Sequence, residues 1–399
     1  MTGSLPVTVG EIPIQAGLHT DKCRLSFIIP EEMGIPREAF DGIDSLLLEG
    51  IAAGAYPGCQ VLFAVNGKVI YYKAFGHPRY KDTTDVKISD LYDLASITKV
   101  AATTLAIMKL DDIGLMKPTD TLGAFLPELS QSNKSRLTIK DVMTHQAGLE
   151  PLIRFYEIPG ITRDSIYRII SDSPLLPKKE YRYSDIGFYL LKEIIERLTQ
   201  KKFDAYLEDQ FYKPLGLQTM CFNPLLRFDS ASIIPTEVDS LFRHQLVHGK
   251  VHDQGAWLLG GIAGHAGLFS NALDLAILFE MLLDGGNYGG KRYLSSHVIK
   301  EYTRAPYSEI GNRRGLGFDK PPLHATIDGP CCPEASYSSF GHSGFTGTYV
   351  WADPDNKLLY VFLSNRVYPS ATNEKLSKMN IRTRVHQKMY DILKKYYFD

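Results

Sequence analysis

Residues 93–99 read DLASITK and lead into an apolar helix that is rich in Ala and Thr. The segment places Ser96 at the start of that helix and Lys99 on the same face, about one turn further along. A serine hydroxyl is a weak nucleophile at neutral pH, and a lysine whose pKa is lowered can act as its base. No other serine of the chain has Lys at the third position after it. The pair therefore indicates a nucleophile at Ser96, although a capping Ser96 and an exposed Lys99 would give the same pattern.

A second segment, residues 181–185 (YRYSD), precedes an apolar run with helical spacing. The phenol of Tyr183 can relay protons when a cation lies close to it, and the carboxylate of Asp185 can bind an amine or a substrate. The same residues also fit a structural role, in which Asp185 caps the helix and Tyr183 packs in the core.

A third segment, residues 341–348 (GHSGFTGT), comes just before a predicted strand. Its small residues would let the backbone of a substrate approach the strand edge closely. The imidazole of His342 can orient a substrate or carry a proton. A glycine-rich turn that only enters the strand fits the same residues.

The order of these segments resembles that of the serine β-lactamase and penicillin-binding-protein superfamily, in its class C, DD-peptidase and esterase branch. The motifs of that branch are S-x-x-K, Y-x-N and K/H-x-G, and here they stand as SITK, YSD and HSG. Residues 137–149 (LTIKDVMTHQAGL) and 260–275 (GGIAGHAGLFSNALDL) also look like family segments in family order. The resemblance covers about residues 30–397. It implies an α+β fold of the β-lactamase/DD-peptidase type, with a five-stranded antiparallel sheet flanked by helices and a mainly helical lobe.

The resemblance also implies roles for individual residues. Ser96 would be the nucleophile that is acylated, and Lys99 and Tyr183 would share its activation and protonate the leaving group. The backbone N–H groups of Ser96 and Phe345 would form the oxyanion hole. The residues expected to contact the substrate are Asp185, His342, Ser343 and Gly344. No cofactor and no metal are expected.

Three departures from the family pattern argue against an efficient β-lactamase. Asp185 stands where Asn is usual, and its negative charge would raise the pKa of Lys99. His342 replaces the Lys of most true β-lactamases, as in some DD-peptidases and esterases. Class C β-lactamases have a carboxylate-binding Asn and Arg soon after a Tyr-Pro pair, whereas Asn373 appears here where an Arg is expected.

These features predict a serine hydrolase that cleaves amide, peptide or ester bonds through an acyl-enzyme. The expected substrate is a peptidoglycan peptide that contains a D-amino acid, as for a DD-peptidase. Two alternatives stay open. One is a hydrolase of small esters or a weak β-lactamase, and the other is a catalytically weak penicillin-binding sensor or scaffold.

Hydrophobic periodicity predicts strands at both ends of the chain and helices in the middle. Residues 66–67 (Asn-Gly) are the preferred dipeptide of a type I′ hairpin and join two β-rich runs. A second hairpin is expected over residues 348–363, and a last helix over residues 373–396. The middle helices are expected at residues 97–113, 139–144, 165–170, 186–199 and 273–283.

The predicted organisation is one hydrolase domain over residues 26–399, preceded by a lead-in or linker over residues 1–25. Its sheet lobe would comprise about residues 26–90 and 290–399, and its helical lobe about residues 91–289. Residues 5–11 (LPVTVGE) resemble the closing strand of family-three β-N-acetylglucosaminidases, behind which related domains are fused in Bacteroidetes. The resemblance implies an N-terminal glycosidase domain as a partner in a longer protein.

Composition limits the remaining partners and the location. A formal net charge of -1 gives no basic field for nucleic acid, so a small-molecule or peptide substrate is the expected partner. No apolar segment is long enough to span a bilayer, and the first residues lack a signal-peptide pattern. The expected location is cytoplasmic, or periplasmic or in the cell envelope if a leader precedes the sequence. His244, His248 and His252 have helical spacing, but Gly249 interrupts them and no metal site is predicted.

Overall fold

The computed structural model describes residues 24–176, 180–324 and 329–398 of the protein. The lead-in predicted over residues 1–25 lies outside the described residues except for its last two. Within the described part of the chain, no helix combines the length and the apolar character needed to cross a membrane.

Most strands of the described residues are short, and the longer ones belong to one sheet. In chain order the strands are β1 (Ser26–Phe27), β2 (Gly58–Val65), β3 (Lys68–Gly76), β4 (Tyr92–Asp93), β5 (Cys221–Phe222), β6 (Val238–Asp239), β7 (Gln245–Leu246), β8 (Leu268–Ser270), β9 (Asn287–Tyr288), β10 (Lys291–Arg292), β11 (Phe340–Ser343), β12 (Tyr349–Asp353) and β13 (Leu358–Ser364).

The main sheet has the strand order β1-β3-β2-β13-β12-β11. Five of these strands are antiparallel to their neighbours, which confirms the predicted sheet. The sixth strand, β1, was not predicted; it pairs in parallel with β3 through two residues only. Asn66 and Gly67 both have positive φ, at 50° and 70°, as the predicted type I′ turn requires.

Helices lie on both sides of this sheet. The α-helices are α1 (Asp41–Ala52), α2 (Leu105–Asp112), α3 (Leu122–Phe125), α4 (Ile139–Met143), α5 (Arg163–Asp172), α6 (Ile186–Thr199), α7 (Phe203–Leu207), α8 (Lys213–Leu215), α9 (Gln254–Leu258), α10 (Ala272–Leu283), α11 (Ser296–Thr303), α12 (Lys375–Lys378) and α13 (Ile381–Tyr396). The predicted last helix is thus two helices, because Asn380 adopts a left-handed conformation with φ of 50° between them.

Two further helix types complete the chain. The 3₁₀ turns are Pro30–Met33, Arg37–Phe40, Ala95–Ile97, Pro127–Leu129, Phe155–Glu157, Pro224–Leu226, Ser230–Ser232 and Ser308–Ile310, and the π-helical turns are Lys99–Thr104 and Glu208–Tyr212. The helix predicted over residues 97–113 therefore begins as a 3₁₀ turn, widens to a π-helix and becomes α-helical only in α2. Such mid-helix changes of winding are frequent at functional sites.

The sheet separates two apolar cores. Alternate residues of β2 point to opposite faces, so Val61 and Phe63 join the core beneath α1 and α13, whereas Leu62 and Ala64 join the larger core among the middle helices. Every residue of β2 is buried. β11 is the edge strand at the end of the sheet opposite β1. It carries the third motif, at His342 and Ser343.

Candidate active site

The three sequence motifs meet in one cleft of about 570 Å³ between β11 and the middle helices. Its lining includes Ser96 from the 3₁₀ turn, Tyr183 and Asp185 from the segment before α6, and His342 from β11. Ser343, Gly344 and Phe345 line the cleft as well. Residues that are up to 249 positions apart in the sequence are thus brought together, from Ser96 to Phe345.

Lys99 is the central cation of this site. Its side chain is fully buried, and its Nζ lies 3.0 Å from Ser96 Oγ, 3.2 Å from the backbone oxygen of His265 and 2.6 Å from Asp185 Oδ1. Its Nζ also lies 5.0 Å from the ring centre of Tyr183. These contacts exclude the alternative in which Lys99 is an exposed surface residue.

Two pKa values decide the protonation of this group at neutral pH. Burial by itself lowers the pKa of Lys99, but the Asp185 carboxylate and Tyr183 act in the opposite direction and the pKa is raised overall. Burial raises the pKa of Tyr183, and the nearby Lys99 offsets only part of that effect. Lys99 is therefore an ammonium and Tyr183 a neutral phenol before a substrate binds.

The turn before Ser96 has an unusual backbone. Ala95 has φ of 46°, in the left-handed region that costs a residue with a Cβ about 1 kcal/mol or more. Asp93 holds this turn, because its Oδ1 accepts a hydrogen bond from the Ala95 N–H at 2.8 Å. Its Oδ2 accepts a second one from the N–H of His252 at 2.6 Å. The strained turn is consistent with a position where function constrains the backbone.

Asp185 does not cap α6 with its side chain, contrary to the structural alternative for this residue. Its carboxylate is instead directed at Lys99. Tyr183 lies against the ring of His145, with ring centres 4.4 Å apart. The Nδ1 of His145 accepts a hydrogen bond from the Ser184 N–H at 3.1 Å, which fixes the segment between Tyr183 and Asp185.

The third motif is attached directly to the nucleophile turn. The hydroxyl of Thr346 donates to the backbone oxygen of Asp93 at 2.7 Å, and that of Thr348 donates to the backbone oxygen of Leu94 at 3.0 Å. Gly344 is needed for this approach, because a Cβ there would lie 2.4 Å from the Leu94 oxygen. These contacts hold Phe345, whose N–H is the second predicted oxyanion donor, beside the turn of Ser96.

His342 is buried and held on both ring nitrogens. Its Nε2 lies 3.2 Å from the guanidinium of Arg314, which can only donate, so Nδ1 carries the proton and donates to the Ser343 oxygen at 2.7 Å. Burial, and then the charges of Arg314 and Lys99, lower the pKa of His342 well below its usual range. The ring is therefore neutral, unlike the lysine that occupies this position in most β-lactamases.

Three arginines of the cleft were not predicted from the sequence. Arg314, Arg366 and Arg382 all line it, and we call them the arginine group. Arg314 is paired with Asp319 at 3.4 Å. Among the described residues, Arg366 and Arg382 form no ion pair, and their guanidinium groups donate only to backbone oxygens.

Neither Arg366 nor Arg382 stands soon after residues 368–369 (Tyr-Pro), where class C β-lactamases have their carboxylate-binding Arg. Arg366 precedes that pair by two residues, and Arg382 is the second residue of α13. Asn373 has a structural role, because its side-chain amide donates to the backbone oxygens of Gly54, Ala55 and Arg366. The clearest signal for Arg314 is the segment 311–317 (GNRRGLG), a polar turn with adjacent arginines.

Two histidine–carboxylate pairs at the cleft were also missed, and His252, His265 and Asp253 line it. His252 Nε2 lies 2.8 Å from Glu237, and His265 Nε2 lies 2.8 Å from Asp253. The ring of His252 stacks against Phe345 with ring centres 5.6 Å apart. Within the residues described, no three His, Cys, Asp or Glu side chains are grouped so that they could hold a metal ion.

Comparison with known proteins gives three results. The sequence model of the family described as Beta-lactamase matches residues 43–379. A protein of Escherichia coli O157:H7 named "Putative D-alanyl-D-alanine carboxypeptidase" is 33% identical over 384 residues, which cover 88% of each chain. Solved structures with the same fold include EstCE1, a hydrolase with promiscuous acyltransferase activity, which is 20% identical with a TM-score of 0.69 over 88% of this chain and 99% of that one. A penicillin-binding protein homologue from Caulobacter crescentus is also 20% identical, with a TM-score of 0.68 over 90% of this chain and 99% of that one.

Proposed function

This chain belongs to the β-lactamase family and is a serine hydrolase, and from that premise we propose that it removes the last residue from peptidoglycan peptides that end in a D-amino acid. The observation that carries the proposal is the arginine group beside Ser96. A peptide with a free C-terminus brings a carboxylate to the scissile bond, and guanidinium groups bind carboxylates with charge-assisted hydrogen bonds. The name of the relative from Escherichia coli supports the same substrate class.

The proposed reaction begins with attack of Ser96 Oγ on the carbonyl carbon of the penultimate residue. The Ser96 proton passes into the group formed by Lys99, Tyr183 and Asp185, and the terminal amino acid leaves after protonation by Lys99 or Tyr183. The N–H groups of Ser96 and Phe345 would stabilise the oxyanion, and a donor of this kind is typically worth about 3 kcal/mol. Water then hydrolyses the acyl-enzyme.

A defined peptide pair tests this proposal. An N-acylated peptide that ends in D-Ala-D-Ala should release free D-Ala, whereas the same peptide with an amidated C-terminus should react about 10- to 100-fold more slowly because it lacks the carboxylate. Ser96→Ala should abolish release from both, with a loss of about 10⁴-fold or more. Equal rates on the two peptides would contradict carboxylate recognition, and normal turnover by Ser96→Ala would contradict the nucleophile.

A small-ester hydrolase is the second candidate, and one observation favours it. Phe345 and Leu152 line the cleft and expose 54% and 58% of their surface, so the cleft also offers apolar surface to an uncharged acyl group. Fast turnover of p-nitrophenyl esters without release of D-Ala would identify this activity. Labelling of Ser96 by a fluorescent penicillin without turnover of either substrate would identify a penicillin-binding sensor.

The proposed substrate also bears on location and partners. Peptidoglycan lies in the cell envelope, so we propose that the protein acts there. The glycosidase domain implied by residues 5–11 would act on the glycan of the same polymer. Immunoblotting of cell fractions with an antibody against this domain would give both the compartment and the length of the natural protein.

A further inference from the structure

The geometry assigns a second catalytic role to Asp185: we propose that its carboxylate is the general base that activates water when the Ser96 acyl-enzyme is hydrolysed. The inference deepens the proposed function, since it rests on an acyl-enzyme at Ser96. It concerns the position where the motif of this branch has a neutral Asn. An amide at that position cannot take a proton, whereas a carboxylate can.

The ammonium group of Lys99 has polar contacts on several sides. An ammonium group has three protons and no lone pair. Three acceptors lie within 3.2 Å of Lys99 Nζ, namely Ser96 Oγ, the His265 oxygen and Asp185 Oδ1. Ser96 Oγ and the His265 oxygen accept hydrogen bonds, and Asp185 Oδ1 is the ion-pair partner, so the ammonium of Lys99 is placed to return a proton to Ser96.

Asp185 contacts Lys99 and also lines the cleft. Its Oδ1 is buried against Lys99, whereas 24% of the side chain is exposed and the residue lines the cleft. Among the described residues, Oδ2 has no hydrogen-bond or ion-pair partner. One carboxylate oxygen therefore holds the group beside Lys99 by an ion pair, which leaves the other available to bind a water molecule in the cleft.

Tyr183, Asp253 and His342 also lie near Ser96 but are less suited to act as the base. Tyr183 is a neutral phenol, which is a weak base. Asp253 lines the same cleft, but its carboxylate is bound to His265 and to the N–H of Ala256, and among the described contacts it has none with Lys99. His342 is neutral but has both nitrogens engaged. Among the described residues of the cleft, Asp185 is the carboxylate whose Oδ1 contacts Lys99 Nζ, and its Oδ2 has no protein partner.

The proposed step balances in protons. The oxygen of water bonds to the acyl carbonyl carbon while one water proton passes to the Asp185 carboxylate. The bond between that carbon and Ser96 Oγ then breaks, and Lys99 donates a proton to Oγ. The proton on Asp185 passes to Lys99 through their contact, which restores the ion pair and leaves a free acid and a free serine.

The test is a pre-steady-state measurement on Asp185→Asn with p-nitrophenyl acetate. Without its counter-ion, the buried Lys99 loses its proton more readily and can act as base for Ser96, so acylation should change by less than about tenfold. Deacylation should fall by about 100-fold or more, the usual contribution of a general base. The expected trace is a burst of one p-nitrophenol per enzyme and then slow turnover, with an acetyl group on Ser96 in the mass spectrum.

Two controls make the result specific. Glu157→Gln removes an exposed carboxylate of the same helical region that pairs with Arg154 and not with Lys99, and should behave as the parent protein. Formate, added to Asp185→Ala, should restore part of the deacylation rate because it supplies a carboxylate.

Two outcomes would overturn the inference. One is unchanged turnover of Asp185→Asn; the other is an equal fall in acylation and deacylation without accumulation of the acetyl-enzyme, which would mean that Asp185 only sets the charge of Lys99. The ester probe keeps this test separate from the peptide test. Accumulation of acetyl-enzyme together with failure to release D-Ala would remove the proposed substrate and leave the role of Asp185 intact.

Discussion

Lys99 and Arg382 are cations of one cleft, but only Lys99 has a carboxylate partner. The charge of Lys99 is balanced within the protein by Asp185 at 2.6 Å. Arg382 donates to the backbone oxygen of Thr348 and lies over the ring of Tyr349, and burial lowers its pKa. A half-buried cation without a counter-ion is costly, so we propose that an anion arriving with the substrate pairs with it. In the proposed function, the nucleophile side of the cleft would thus serve proton transfer, and the arginine group would serve recognition of the substrate carboxylate.

The sharpest test of this division, and the one with the largest expected effect, is Arg382→Met. Methionine keeps most of the apolar stem but removes the charge. The value of kcat/KM for a peptide with a free C-terminus should fall about 10- to 100-fold, since a hydrogen bond to a charged group is worth about 1.5–3 kcal/mol. Acylation of Ser96 by p-nitrophenyl acetate should stay within about threefold of the parent protein.

The control for this variant lies two residues away on the same helix. Arg384 is exposed and forms an ion pair with Glu49, so Arg384→Met should leave both reactions unchanged. If Arg382→Met slows the ester and the peptide equally, the arginine supports the structure of the whole cleft, and the division between the two sides fails.

A smaller effect is expected on the pH dependence of stability, and it comes from His342, the neutral histidine between the two sides of the cleft. The folded pKa of His342 is well below its unfolded value of about 6.5, mainly through burial. Below that pH the unfolded chain binds a proton that the folded chain does not, so stability should fall as the pH decreases. Between pH 6.5 and pH 5.5 this single group should cost about 1 kcal/mol.

Urea unfolding of His342→Gln at the two pH values measures this contribution. The variant should lose about 1 kcal/mol less stability between pH 6.5 and pH 5.5 than the parent protein does. An identical pH dependence in His342→Gln and the parent protein would mean that His342 titrates normally and that its proximity to Arg314 has no electrostatic consequence.

The sequence predicted some parts of the molecule and not others. The hairpin of β2 and β3 was predicted correctly because Asn66 and Gly67 specify their turn locally. The α+β fold was predicted because three short motifs, each readable within a few residues, occur in family order. The parallel pairing of β1 was missed because a strand of two residues has no periodicity to detect.

Arg314, Arg366 and Arg382 were missed for a different physical reason. They reach the cleft from three segments whose positions depend on the tertiary fold, and a single arginine in a loop resembles any exposed charge. The comparison with class C β-lactamases concerned one position, Asn373, at a fixed sequence distance from residues 368–369. The arginines that line the cleft lie elsewhere in the sequence: Arg366 follows β13, and Arg382 lies near the start of α13.

The smallest expected effect concerns the contact that joins the two sides of the cleft. Thr348 donates to the Leu94 oxygen at 3.0 Å and so ties the strand that follows Phe345 to the turn that carries Ser96. Thr348→Val keeps the shape and removes this hydrogen bond, which should lower the free energy of unfolding by about 1 kcal/mol. Because the two proposed oxyanion donors, Ser96 and Phe345, lie on the two joined segments, kcat should also fall, by about three- to tenfold, with little change in KM. Thr303→Val removes a comparable hydroxyl contact on α11, at 2.8 Å from the Ile299 oxygen, and should lower stability without changing kcat. A kcat equal to that of the parent protein in Thr348→Val would show that the main chain alone keeps the two donors in register.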